Sequence, residues 1–119
     1  MKGDAAVGCL FCGIVRGDIK GDIVYQNETV VAFRDISPKA PVHILIVPRK
    51  HIKTLADVGE EDKGLVGEIC YVASQVAKEQ KISRGGFRLV VNHGAGAGQS
   101  VYHLHFHLLG GRPFTWPPG

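Results

Sequence analysis

The chain has 119 residues, of which 45% are hydrophobic and 21% are charged, as expected for one globular domain with a core of its own. The formal charge is only +3 and the Lys and Arg residues are scattered, so we expect no nucleic-acid partner and prefer a small anion as ligand. No apolar run approaches the ~20 residues of a membrane span, and no signal-like segment is present. We therefore expect one domain over residues 1–119, in the cytoplasm and without a membrane partner.

Two cysteines near the start, Cys9 and Cys12, are three positions apart. This spacing lets one metal ion accept both thiolates, and His51 and His103 are candidates to complete a Cys2His2 set, although they lie far apart in the sequence. Two small buried residues in a short helix, or a redox pair, are the alternatives. A disulfide framework is not expected in a reducing compartment.

The next segments read as a β-hairpin, with strands over residues 22–26 and 29–35 around a short turn. In the second strand Val31, Phe33 and Asp35 would share one face, so an aromatic wall would end in a carboxylate. That pairing suits a nucleoside, with apolar surface for the base and an acceptor for ribose hydroxyls. An ordinary strand leaving the core is the alternative.

Residues 42–48 are almost continuously apolar and β-branched, which predicts a central strand covered on both faces. His43 is its one polar residue, either a satisfied core histidine or part of a site. Residues 49–51 would then form an exposed basic corner.

From Glu60 the apolar residues recur at helical spacing, which predicts the main helix. Cys70 lies beside its apolar stripe and is expected to be a small buried hydrophobe. The stripe comprises Leu65, Val66, Ile69, Val72, Ala73, Val76 and Ala77.

A short predicted strand over residues 86–92 runs into a loop, residues 93–100, with glycine at every second position. Glycine permits positive φ and close approach to bare backbone N–H groups, so the loop can form an anion-binding nest. A flexible hairpin connection is the alternative. The loop leads directly into a segment with three alternating histidines, and this adjacency favours a phosphate site over a flexible connection.

That segment is His103-Leu104-His105-Phe106-His107. As a β-strand it would place all three histidines on one face and the apolar residues on the other. Three imidazoles on one face could meet a single anion or a single metal ion. The chain as a whole predicts an antiparallel sheet with one principal helix.

These residues together resemble the histidine triad (HIT) family, specifically its Hint branch. The matching segments are residues 103–109, the loop over residues 98–102, the Asp35-Ile36-Ser37-Pro38 segment and the C-terminal residues 110–119. The resemblance covers nearly the whole chain and implies an α+β, HIT-like fold. Its features would be a five-stranded antiparallel sheet, one main helix, a short N-terminal helix and a ten-stranded sheet across a homodimer.

The resemblance also implies roles for individual residues. His105 matches the nucleophile and His107 an α-phosphate binder, while Ser100 would position a proton and His43 would orient the nucleophile by hydrogen bonding. Asn92, Gly98, Gln99 and Ser100 match the phosphate site, with Val101 in the same loop. Asp35 matches the ribose-binding acid, and the base would lie near Leu10, Phe11, Ile14, Phe33 and Ile36.

The implied activity is hydrolysis of purine nucleoside 5′-phosphoramidates, such as adenosine 5′-monophosphoramidate or lysyl-adenylate, through a nucleotidyl-histidine that releases AMP or GMP. No metal is required for this chemistry. Many Hint proteins lack the thiol pair, whereas Cys9, Cys12, His51 and His103 resemble the zinc set of other branches, so a structural zinc ion stays open. The alternatives are a nucleotide-binding regulatory protein with little catalytic role and a tri-histidine metal site.

The C-terminal tail begins with two glycines and carries three prolines and the only Trp of the chain, Trp116. The prolines keep it out of helix or central strand, and an exposed Trp and Phe favour an interface. We expect a homodimer in which Trp116 lies near the nucleotide. The alternative is that Trp116 packs on its own subunit.

Overall fold

The computed structural model describes residues 8–119 of the chain. Its five strands form one antiparallel sheet in the order β1-β2-β3-β5-β4. The strands are β1 (Ile23–Gln26), β2 (Val30–Arg34), β3 (Val42–Pro48), β4 (Phe87–Val91) and β5 (Phe106–Gly110), and the helices are α1 (Leu10–Arg16) and α2 (Lys63–Glu79). The predicted α+β class, the five-stranded sheet and both helices are confirmed.

Helix α2 covers one face of the sheet and α1 part of the other, because the residues of β3 alternate between the two faces. Ile44 and Ile46 belong to the core under α2, whereas Leu45 and Val47 pack with Phe11 of α1 in a second cluster. This alternation explains why the strand reads as continuously apolar. The face that α1 leaves uncovered is the one on which a cavity forms.

The apolar stripe of α2 is confirmed at its centre, where Ile69, Val72 and Val76 are almost fully buried. The expectation for Cys70 is wrong, since that residue is exposed beside Tyr71. Cys70 follows Ile69 directly and is therefore rotated about 100° away from the stripe. Within the described part of the chain, no helix is long and apolar enough to cross a membrane.

Two other expectations need correction. Strand β5 begins at Phe106, so His103 and His105 precede the strand and the three histidines do not share a strand face. Phe106 pairs with both Ile46 and Val91, the last register pairs at that end.

The corner at residues 49–51 is half-buried rather than exposed. The side chains of this corner have partners within the fold. Arg49 donates to the carbonyl of Asn27 (2.8 Å), and Lys50 donates to the carboxylate of Asp62 (2.7 Å). Nδ1 of His51 lies 3.2 Å from Nδ1 of His103.

Candidate active site

A cavity of about 810 Å³ lies on the α1 side of the sheet. Its wall is apolar at Phe11, Phe33 and Leu45, and two histidines lie within the lining. Ten of the residues singled out from the sequence line it, namely Leu10, Phe11, Ile14, Phe33, Asp35, Ile36, Ser100, Val101, His105 and His107. The cavity therefore brings together an apolar wall, a carboxylate and two imidazoles, as a mononucleotide site requires.

Seven further residues line the cavity that sequence reasoning did not identify. They are Ile19, Lys20, Gly21, Asp22, Arg34, Ser37 and Leu45. Leu45 could have been found, because it is two residues from His43 in a predicted strand and so shares its face. The segment from Ile19 to Asp22 is a connection without periodicity, and nothing in its sequence indicates that it closes the cavity.

Four predicted nucleotide-binding residues, Asn92, Gly98, Gln99 and Trp116, are not among the lining residues of this single chain. Gln99 is buried because its side chain holds the loop together. Its Oε1 accepts from the Gly94 N–H (2.8 Å), and its amide donates to the carbonyls of Lys53 (2.9 Å) and Val101 (3.1 Å). Trp116 is 82% exposed, so the alternative that it packs on its own subunit is wrong.

The glycine loop folds as a tight turn that begins and ends on positive φ, 83° at Gly94 and 93° at Gly98. These angles are in the left-handed region that glycine adopts without steric cost. The Gln99 N–H donates to the Gly94 carbonyl (3.0 Å). The turn therefore has a fixed shape, and it delivers Ser100 and Val101 to the cavity wall.

The imidazole of His105 is oriented by the chain itself. Its Nδ1 lies 2.7 Å from the carbonyl oxygen of His103. A carbonyl only accepts, so Nδ1 carries a proton, and in this tautomer the lone pair of the ring lies on Nε2. The ring of Phe11 packs edge-on against it, with centroids 5.1 Å apart. Nε2 is therefore the nitrogen of His105 that can act as a nucleophile.

His43 orients His107 rather than the nucleophile His105, for which the sequence-based expectation was wrong. The backbone N–H of Lys39 donates to His43 Nδ1 (3.0 Å), so the proton of His43 lies on Nε2. That Nε2 is 3.0 Å from His107 Nδ1 and 3.4 Å from the Asp35 carboxylate. His107 therefore accepts at Nδ1 and carries its own proton on Nε2, which can donate to a phosphate oxygen.

The same tautomer argues against a metal ion among these residues. Asp35, His43 and His107 bring potential ligand atoms within 4.8 Å of one another. Coordination through His43 Nε2 would shift its proton to Nδ1, against the Lys39 N–H. The group is better explained as a hydrogen-bond relay, and a tri-histidine metal site is equally unsupported because His103 points away from His105 and His107 into a separate cluster.

Burial keeps the imidazoles of His107 and His43 neutral near pH 7. Desolvation, aided by the neighbouring His105 and His43, lowers the pKa of His107 to about 4, although Asp35 opposes the shift. Desolvation likewise lowers the pKa of His43. The site can therefore donate and accept single hydrogen bonds without first losing a proton.

The cluster of Cys9, Cys12, His51 and His103 forms directly behind this site. Its four possible ligand atoms all lie within 4.8 Å of one another. His103 Nε2 donates to the Pro48 carbonyl (2.8 Å), which turns the lone pair of Nδ1 toward the thiols. His103 is fully buried and Cys12 is 1% exposed. The sequence named all four residues, and the structure brings them together.

The distances within this Cys/His cluster fit a tetrahedral metal. In a zinc site a sulfur and a nitrogen are separated by about 3.5 Å, and two nitrogens by about 3.3 Å. The S···N distances are 3.4 Å for Cys9 to His103, 3.2 Å for Cys12 to His51 and 3.5 Å for Cys12 to His103. The Nδ1 atoms of His51 and His103 are 3.2 Å apart. All four positions would be filled by protein, as in structural sites.

Comparison with known proteins places the chain in a family. The HIT domain model matches residues 16–114, so the chain belongs to the HIT domain family. The purine nucleoside phosphoramidase of Escherichia coli K12 is 49% identical over 104 residues, which cover 87% of either chain. An uncharacterized HIT-like protein of Synechocystis is 46% identical over 110 residues, 92% of this chain and 96% of its own.

Solved structures agree with this assignment. A HIT family hydrolase from Legionella pneumophila superimposes with a TM-score of 0.92 at 49% identity, covering 94% of this chain and all of its own. A histidine triad protein from Clostridium difficile gives a TM-score of 0.91 at 39% identity, covering 97% of each chain. The HIT-like fold is confirmed.

Proposed function

We propose that the protein hydrolyses purine nucleoside 5′-phosphoramidates, such as adenosine 5′-monophosphoramidate or lysyl-adenylate, and releases AMP or GMP. The observation that carries this proposal is the orientation of His105, whose Nδ1–H is bound by the His103 carbonyl at 2.7 Å, so that Nε2 is the ring nitrogen left to react. The 49% identity to a purine nucleoside phosphoramidase supports the same substrate class.

In the proposed first step, Nε2 of His105 attacks the α-phosphorus, the P–N bond breaks and a nucleotidyl-histidine forms. The leaving amine takes a proton positioned by Ser100. Water then attacks the same phosphorus, the P–N bond to His105 breaks and the nucleoside monophosphate leaves. The Nε2–H of His107 and the backbone N–H groups of the glycine loop stabilise charge on the non-bridging oxygens.

The nucleoside would lie along the apolar wall. Phe11 and Phe33 pack edge-on with centroids 5.3 Å apart, and Leu10, Ile14 and Ile36 extend the surface. Asp35 would accept from the ribose hydroxyls. In the folded chain its carboxylate also accepts the Ser37 N–H at 2.8 Å, which fixes its position.

The decisive experiment is hydrolysis of adenosine 5′-phosphoramidate, followed by ³¹P NMR with and without EDTA. We expect turnover that EDTA does not abolish, since no step uses a divalent ion. A protein that binds AMP but does not turn over the phosphoramidate would instead be the nucleotide-binding regulatory protein that is the second candidate.

His105→Ala tests the nucleophile. We expect a loss of about 10⁴-fold or more in kcat, because the covalent step has no other acceptor. His105→Asn should still bind AMP, measured by calorimetry, since the cavity wall is unchanged. Near-normal turnover by the alanine variant would remove His105 from the mechanism.

We further propose that the Cys/His cluster holds one structural zinc ion. Its support is the agreement of four ligand distances with tetrahedral geometry. Zinc would tie α1 to the segments that carry His51 and His103. Metal analysis of protein purified without a histidine tag should find one zinc per chain, and a metal-free, fully folded protein would refute the site. We also propose a cytoplasmic location, because a reducing compartment keeps Cys9 and Cys12 available as thiolate ligands.

We also propose a homodimer with a ten-stranded sheet. Strand β4 lies at the edge of the sheet and pairs only with β5 among the described strands. An open edge is a template for pairing with a second copy. Trp116 projects from the tail that follows β5, where a partner chain could bury it.

A further inference from the structure

A single residue, His103, connects the thiols of Cys9 and Cys12 to the proposed nucleophile, His105. Cys9 and Cys12 reach the Nδ1 of His103 at 3.4 Å and 3.5 Å, and the carbonyl of the same His103 holds Nδ1 of His105 at 2.7 Å. His103 therefore joins the Cys/His cluster through its ring and orients the nucleophile through its backbone.

A second connection runs through Phe11, which lies between the two cysteines in α1. Its ring packs edge-on against His105, His103 and Phe33, with centroid distances of 5.1, 6.1 and 5.3 Å. Phe11 also lines the cavity. A disulfide between Cys9 and Cys12 would constrain the backbone that carries Phe11, a residue that touches both the proposed nucleophile and the wall for the base.

We propose that Cys9 and Cys12 form a reversible disulfide with peroxide-class oxidants, and that this modification switches off the hydrolysis proposed above. The two sulfur atoms lie within 4.8 Å of each other at the start of α1. A Cys-x-x-Cys pair with this placement can close without unfolding the rest of the chain, because one disulfide spans only two intervening residues.

The step balances as a two-electron oxidation. The Cys9 thiolate attacks one oxygen of the peroxide, which forms a sulfenic acid and releases hydroxide. The Cys12 thiolate then attacks the Cys9 sulfur, the S–O bond breaks and a second hydroxide leaves as the disulfide forms. Peroxide is reduced to two equivalents of water after protonation. Any zinc on the thiolates is released, since a disulfide is not a thiolate ligand.

The burial of the two cysteines determines which of them the oxidant reaches first. Cys9 is partly exposed, whereas Cys12 is 1% exposed, so Cys9 meets the oxidant first and Cys12 resolves it. After closure both sulfurs are drawn away from the Nδ1 atoms of His51 and His103. His103 keeps its Nε2 contact with the Pro48 carbonyl (2.8 Å), but its ring loses the thiol contacts at Nδ1. We expect the carbonyl of His103, which orients His105, to shift as the ring moves.

The test uses full-length protein in a Cys70→Ser background, which removes the exposed thiol. Hydrogen peroxide is added, and four quantities are followed: peptide mass, free thiols, zinc in solution by a chromogenic chelator, and phosphoramidate turnover. We expect a Cys9–Cys12 peptide two mass units lighter, loss of two thiols, and at least a tenfold fall in kcat/KM. A thiol reductant together with zinc should restore the turnover, and circular dichroism should show an unchanged helix content.

Cys9→His is the matched variant, because it keeps a zinc ligand at that position but cannot form the disulfide. It should retain zinc and hold its own turnover constant under peroxide. Absence of the Cys9–Cys12 peptide, turnover unaffected by a disulfide that does form, or equal peroxide inactivation of the Cys9→His variant would each overturn the inference.

The inference rests on the proposed hydrolysis only for its turnover measurement. If the reduced protein lacks phosphoramidase activity, the proposed function fails. The disulfide, the zinc release and an accompanying loss of AMP affinity would still decide whether the thiol pair controls the cavity.

Discussion

His107 shows how burial of a single side chain makes stability depend on pH. Its pKa is about 4 in the folded chain against 6.5 for a free histidine. Above pH 6.5 the imidazole is neutral in both states and has no effect. Between pH 6.5 and 4 only the unfolded chain takes up the proton, so protonation favours unfolding.

We therefore predict that the free energy of unfolding falls as pH drops from 6.5 toward 4, with His107 contributing at most about 3 kcal/mol. Urea titrations across this range measure it, with His107→Gln as the matched variant. The slope of stability against pH should be shallower in the variant. Identical slopes would show that His107 is not desolvated in the folded chain.

The residue types of the site could be read from the sequence, but their connections could not. Alternation along the second strand placed Phe33 and Asp35 on one face, and both line the cavity. His43 was singled out as the one polar residue of an apolar strand, without a predicted partner. The carbonyl of His103 and the N–H of Lys39 fix the tautomers of His105 and His43, and backbone atoms carry no sequence signal. For the same reason the contacts of the Gln99 side chain could not be foreseen, because an amide that binds loop backbone looks identical in sequence to one that binds phosphate.

The bounds of helices and strands were predicted closely wherever apolar residues formed a long run or recurred at regular spacing. Strand β3 was predicted at its observed bounds, Val42–Pro48, and α2 within its first turn. The error came at β5, where alternation of histidines suggested a strand from His103. A local pattern cannot reveal that the Cys/His cluster draws His103 inward, since two of its partners lie more than 90 positions earlier in the chain.

Two glycines in different elements give opposite predictions for the same substitution. A Cβ on Gly110 of β5 would lie 2.6 Å from Cδ1 and 2.8 Å from Cβ of Ile82, which is buried. A Cβ on Gly67 of α2 would meet no atom within 4 Å. An added methyl group at Gly110 would therefore clash with Ile82, whereas at Gly67 it would meet no neighbour and affect only the conformational freedom of the helix backbone.

Gly110→Ala should therefore lower the free energy of unfolding by about 1–3 kcal/mol through overpacking. Gly67→Ala should raise it by about 0.5–1 kcal/mol, because alanine loses less entropy in a helix. Denaturant unfolding of the two variants beside the parent protein measures both. A stabilising Gly110→Ala would mean that Ile82 can move aside at little cost.

At the scale of the whole molecule, the tail is attached to the sheet rather than loose. Phe114 lies near the guanidinium groups of Arg88 and Arg112, at 5.1 and 4.4 Å from its ring centroid. Arg88 also donates to the Thr115 carbonyl at 2.9 Å, and Arg112 donates to the Lys39 carbonyl at 3.1 Å. These contacts hold the chain up to Thr115, and the next residue, Trp116, is 82% exposed.

A large aromatic side chain presented by an anchored segment is typical of an interface residue. We predict that the protein is a dimer in sedimentation equilibrium and that deletion of residues 113–119 changes substrate selectivity more than the hydrolytic step. The prediction requires Trp116, which does not line the cavity of its own chain, to contact the cavity of the other copy. Ratios of kcat/KM among phosphoramidates with different amine leaving groups should shift severalfold in the truncated protein.

Trp116→Ala is the narrower variant, since it leaves the Arg88, Phe114 and Arg112 contacts intact. If Trp116 contacts the leaving group, this single change should reproduce the altered selectivity of the deletion while the protein remains dimeric. Tryptophan fluorescence gives a second measurement, because Trp116 is the only Trp in the chain. Its emission should be that of a buried indole in the dimer and should move toward that of an exposed indole on dilution to monomers. A fully active monomer, or unchanged leaving-group preference in both variants, would contradict the prediction.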